Sequence, residues 1–201
     1  MNTNPEINYN KELEEYKTCK QYLLNITKGD EQRHNGLAAL FEWMDEKGFT
    51  TLPASIKYHL NYKGGLMMHS MNVTTALLDL TNGLGLQWQR PESPIIIGML
   101  HDLCKLEFYK PNGFDAGFEH DNDPEYNLGG HGMLSVVLAQ RFIKLTDEEI
   151  HCIRFHMGAY EQKDWSMYDA AIRKYPNVLY THTADMIASK IMEEAYANKT
   201  K

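Results

Sequence analysis

The sequence predicts an all-α fold: a single bundle of about seven or eight helices. Three observations carry that expectation. Apolar residues recur three and four positions apart along most of the chain, the spacing of one helix face. Alternating apolar and polar runs, the mark of half-buried strands, are nearly absent. Residues that start and stop helices punctuate the pattern, among them Asp30, Gly48, Ser93-Pro94 and Thr146 with Glu149.

The first helix is expected over residues 11 to 27, where Leu13, Tyr16, Leu23, Leu24 and Ile26 share a loose helical spacing that Gly29 closes. The second, DEQRHNGLAALFEWMDEKG, has Asp30 as N-cap and Gly48 just past its end. LMMHSMNVTTALLDL makes the third, with Leu66, Val73, Leu77 and Leu80 at helical intervals. Ser93 as N-cap and Pro94 at the first helical position open the fourth. HGMLSVVLAQRFIK makes the fifth. A capping box from Thr146 to Glu149 opens the sixth, EEIHCIRFHM. Ser166 and Asp169 cap a short seventh that stops before Pro176, and the last runs from about Val178 to Asn198. Residues 49–62 and 108–130 read as loops, and a loop as long as the second is often functional. The organisation expected is residues 1–50 as N-terminal helices packed on a core of residues 51–201, in one continuous domain.

Composition narrows the function classes. Hydrophobic content of 43% and charged content of 23% are those of a soluble globular chain. A net charge of −7 argues against a broad nucleic-acid footprint, which needs a basic face. It leaves room for a small anionic substrate held by a few local cations. The three cysteines show no CxxC spacing, so neither a disulfide framework nor a zinc knuckle is expected. No run approaches the roughly 18 apolar residues of a membrane span. The N-terminal stretch MNTNPEINYNKELEEYK is polar and acidic, unlike a signal peptide, so a cytoplasmic location is expected.

The chemistry lies in the histidines. His69, His101 and His156 interrupt apolar faces, and His131 opens the fifth helix. Asp102 adjoins His101, and Asp185 lies among apolar neighbours in LYTHTADMIAS. One inward histidine is ordinarily a hydrogen-bonded core residue. Several inward histidines with two inward aspartates, on separate helices, would cost several kcal/mol each if left unpaired. A shared metal ion removes that cost, since imidazole and carboxylate are its natural ligands.

The order His69, His101-Asp102, Asp185, with its flanks GGLMMHSMNV, GMLHDLCKLEFY, GGHGMLSV, IRFHMGAYE and HTADMIAS, resembles the HD-domain superfamily of metal-dependent phosphohydrolases. The resemblance covers about residues 55 to 190. It implies that His69, His101, Asp102 and Asp185 hold one divalent ion. His131 and His156 stand where two-ion members carry further ligands, and they either complete a second ion bridged by Asp102 or serve the substrate. The ion would be a transition metal (Mn, Fe, Co, Ni or Zn) ahead of Mg²⁺, because the ligands are histidine-rich. The implied reaction is hydrolysis of a phosphate ester in a nucleotide or related small phosphorylated substrate, by hydroxide formed on the ion. Asp102 and Lys105 are the catalytic candidates, with Lys105 on a substrate phosphate. Lys63, Arg154, His59 and His182 are candidates for substrate contact. His151, five residues before His156, points away and is expected to be exposed. Gly64-Gly65 fits either a backbone approach to a ligand or a tight turn before the third helix. A nuclease or phosphodiesterase acting on single-stranded or cyclic substrates is the alternative, and a non-catalytic nucleotide or metal sensor a third reading. Substrate identity and oligomeric state stay open at this level.

Overall fold

The computed structural model describes residues 5–56, 60–111, 117–120, 130–158 and 165–194. The expected helices are all among them: α1 (Pro5–Ile26), α2 (Glu31–Glu46), α3 (Gly65–Leu84), α4 (Ser93–Leu100), α6 (Gly130–Ala139), α7 (Asp147–Arg154), α8 (Trp165–Lys174) and α9 (Asn177–Ile187). A single turn, α5 (Lys105–Phe108), follows α4. Among the described residues the fold is all-α apart from one small antiparallel pair, β1 (Tyr109–Pro111) with β2 (Phe118–His120). That pair lies inside the segment expected to be loop. Three residues per strand are too few to show an alternating pattern, so the sequence had no means of announcing it.

Helix α3 is the axis of the bundle. Its first half is buried on nearly every side, from Gly65 to Thr74, and it packs against α1, α4 and α9. The amphipathic spacing read from its sequence understates this, because Met67, Met68 and Met71 fill the remaining faces. Side chains of α1 and α2, including Tyr16, Leu23, Leu37 and Leu40, belong to the same hydrophobic cluster as those of α3, α4 and α7. Where α3 and α4 cross, Gly98 is the contact. A Cβ there would stand 2.6 Å from the Cα of Thr74, so only glycine lets the two backbones meet. Gly64 ends a turn and Gly65 opens α3. Gly64 has φ +86°, and a Cβ on Gly65 would strike the Leu60 carbonyl oxygen.

The caps are as expected at α2, where Asp30 accepts from the Arg33 N–H, and at α7, where Thr146 and Glu149 form a capping box. At α4 they differ. Glu92 is the N-cap residue and Ser93 lies within the helix, its hydroxyl donating to Glu149 across 2.8 Å. A buried carboxylate competes for that hydroxyl more strongly than the backbone does. Among the described residues no helix is long and apolar enough to cross a membrane.

Candidate metal centre

The His-Asp pair does not lie within a helix. α4 ends at Leu100, His101 is its C-cap, and Asp102 follows in a turn whose amide bonds run three residues back. The pair thus closes an apolar helix at the middle of the molecule. His69 comes from α3, Asp185 from α9, and His156 from the turn that ends α7, which stops at Arg154. All five side chains are buried. Two overlapping groups have ligand atoms all within 4.8 Å of one another: His69, His101 and Asp185, and His101, Asp102 and His156.

The orientation of the three imidazoles is the most telling feature. His101 Nδ1 lies 2.9 Å from the Gly98 carbonyl oxygen, and His156 Nδ1 lies 2.7 Å from that of Ile153. A carbonyl only accepts, so both Nδ1 atoms carry protons. His69 Nδ1 is 2.8 Å from a carboxylate oxygen of Glu193, which fixes its proton in the same way. The three Nε2 atoms are left facing inward. His69 Nε2 and His101 Nε2 are 3.1 Å apart, so two neutral rings would oppose their lone pairs. His156 Nε2 is buried with no hydrogen-bond partner among the described residues, and Asp102 Oδ1 is 3.6 Å away. His69 Nε2 lies 3.3 Å from Asp185 Oδ1 and 3.5 Å from Asp102 Oδ2. Imidazole nitrogens turned on carboxylates fit a cation between them, and the outer acceptors on Nδ1 are those that commonly orient metal ligands.

The titration behaviour follows from the same contacts. Burial opposes charge on His69, but Asp185 and Glu193 outweigh it and raise its pKa to about 10. A proton on Nε2 therefore occupies the position a metal ion would take. Burial also opposes charge on Asp102, yet Lys105 and His101 hold its carboxyl well below the usual range. Asp185 is lowered against its burial by His69. His101 is lowered, chiefly by burial.

The other expected site residues are dispersed. Lys105 is buried, its ammonium 2.5 Å from Asp102 Oδ2, and burial is outweighed by Asp102 in raising its pKa. His131, at the start of α6, belongs to neither ligand group among the described residues; its half-buried ring packs 5.4 Å from that of Phe108. His182 Nδ1 lies 2.7 Å from the His156 carbonyl oxygen, so it braces the turn that carries His156. Arg154 stacks its guanidinium 4.9 Å over the Phe155 ring, and Lys63 is exposed before α3. His151 is half-buried rather than exposed, because its Nδ1 bonds the Asp147 carbonyl oxygen and its ring packs on Tyr175. His59 lies outside the described residues, as does most of the 108–130 segment. Glu193 was not anticipated: in sequence it is one of two adjacent glutamates in a polar C-terminal stretch.

Comparisons with family models, with curated proteins and with solved structures returned no match.

Proposed function

We propose that this chain is a metal-dependent phosphohydrolase of the HD type, acting on a nucleotide or related small phosphate ester. The observation that carries the reading is the set of three buried imidazoles, each with Nδ1 protonated onto an acceptor and Nε2 turned toward Asp102 and Asp185. His69, His101, His156, Asp102 and Asp185 would hold the ion. His101 has one free nitrogen, Nε2, since Nδ1 is committed to Gly98. One nitrogen lone pair serves one ion, so the two overlapping groups read as halves of a single centre. Charge agrees. With an ion bound and the three rings neutral, Asp102, Asp185 and Glu193 would stand with the Lys105 ammonium among the described residues, a net of two negative charges for one divalent ion to offset.

A bound divalent ion would supply a water of lowered pKa and positive charge for the phosphoryl oxygens. The protein's own part is positional. Gly98, Ile153 and Glu193 fix the ring tautomers, and Lys105 keeps Asp102 ionised. Lys105 is also the cation nearest Asp102 and the group best placed to answer a substrate phosphate. The burial of the cluster favours a compact substrate over a polymer.

Metal analysis paired with a substrate panel tests the reading. About one transition-metal ion per chain, and phosphate release from members of a nucleotide panel, are expected. Stoichiometric metal with no turnover on any nucleotide or oligonucleotide would refute the hydrolase. Cleavage confined to oligonucleotides would move the assignment to the nuclease.

A further inference from the structure

Three carboxylates are buried around the imidazoles, and the proposed ligand set uses two. The third, Glu193, is 2% exposed. Its Oε1 accepts from His69 Nδ1 at 2.8 Å and from Asn72 Nδ2 at 3.3 Å. Both donors lie on α3, one turn apart, so α3 grips one oxygen at two points.

The route by which Glu193 arrives there is unusual. It follows Asp185 by eight residues, and on an unbroken α-helix that spacing would turn it about 80° away from Asp185. The helix does not continue unbroken. Residues Ala188–Met192 form a π-helical turn, and Glu193 donates its amide to the Ala188 carbonyl. Bonds that reach five residues back widen the turn and let the chain rotate less per residue. Glu193 is thereby brought round toward the face that bears Asp185, while Ile191 is left 65% exposed. Such turns cost regular hydrogen bonding and occur often at functional sites. This one delivers a carboxylate to the back of a ligand.

We propose that Glu193 is a positioning residue of the metal centre, fixing the His69 ring and strengthening Nε2 as a donor to a divalent transition-metal ion. The inference rests on the metal-centre reading above. Its distinctive content is an asymmetry. His101 and His156 are backed by neutral carbonyls, whereas His69 is backed by a charged carboxylate. A charged acceptor withdraws more proton character from Nδ1 and leaves Nε2 the more basic. His69 is then the strongest nitrogen ligand of the three, and Asn72 is the clamp that keeps its carboxylate in register.

The test uses the full chain with Co²⁺ as probe, followed by calorimetry and visible absorption. Glu193→Ala should bind Co²⁺ 10- to 100-fold more weakly than wild type, with shifted ligand-field bands. Glu193→Gln keeps an acceptor for Nδ1 without the charge, and should lose about tenfold while keeping wild-type bands. Circular dichroism of the ion-free proteins checks that each variant is folded. Wild-type affinity in either folded variant would overturn the inference. If Glu193→Ala fails to fold, Glu193→Gln decides alone. Failure of the wild type itself to bind Co²⁺ would instead overturn the metal-centre reading.

Discussion

The two ends of α4 carry buried ions in different company. At the N-terminal end, Arg33 meets Glu92 at 3.0 Å and Glu149 at 2.5 Å, and its Nη1 donates to the Lys144 carbonyl. Ser93 and the Thr146 amide donate to Glu149, and Arg90 reaches Glu92 from the surface. Every carboxylate there faces a guanidinium. About 12 Å away along the helix, the C-terminal end gathers Asp102, Asp185 and Glu193 around the Lys105 ammonium and the His69 imidazole, with His156 Nε2 buried and without a hydrogen-bond partner among the described residues. The first network ties α2, α4 and α7 together by guanidinium–carboxylate pairs, with only Arg33 Nε lacking a well-aligned hydrogen bond. The second sets carboxylates and imidazoles close enough to hold a cation. Burial of ions is common to both; what differs is that a cation fits only the second.

The largest expected effect lies at the N-terminal end. Arg33→Met should strand Glu92 and Glu149 and cost about 3–5 kcal/mol in chemical denaturation, while the folded fraction keeps its metal affinity. Lost metal affinity at unchanged stability would reverse the assignment of the two ends. Next comes ion binding at the C-terminal end. Saturating wild type with its ion at about 100 times Kd should add about 2.7 kcal/mol of stability. Asp102→Asn should gain none, and its phosphate release should vanish; an equal gain would show that the ion binds elsewhere.

A buried carboxylate away from both ends sharpens the contrast. For Glu12, burial first, then Glu15, outweigh the opposing pull of Lys11 and push its pKa up to about 7. A carboxyl raised by folding contributes stability present below its unfolded value of 4.5, and that stability is lost as pH rises through about 7. Glu12→Gln, which mimics the protonated form, should therefore gain about 2 kcal/mol over wild type at pH 8 and nothing at pH 4. A gain independent of pH would exclude the titration. The smallest effect belongs to Thr146→Ala, which removes half a capping box from α7 at the N-terminal end of α4. With Arg33 still on Glu149, it should lower stability by about 1 kcal/mol in a thermal melt; a loss as large as that of Arg33→Met would make the cap, not the arginine, the keystone.

The helices, and the five residues that cluster as possible ligands, were legible because both announce themselves locally. A histidine among Leu66, Met67 and Met68 breaks a pattern, and a broken pattern can be seen in one sequence. What was hidden depends on geometry that composition does not encode. Glu193 reaches His69 only through a π turn. Lys105 looks like a return to solvent, yet it is buried because Asp102 neutralises it. Arg33 sits in the polar run EQRHN and carries no mark of its partners, 59 and 116 positions onward. His131 opens α6 half-buried beside Phe108 and belongs to neither ligand group among the described residues.

The crossing at Gly98 gives the site its bore. α3 carries His69 and α4 ends in His101, so the gap between those two nitrogens is inherited from how closely the two helices lie. That closeness is set by a residue whose side chain is a single hydrogen against Thr74. The same residue's carbonyl aims the His101 ring. In the metal-centre reading, the space left for an ion would be set by the thickness of a glycine as much as by the ligands themselves.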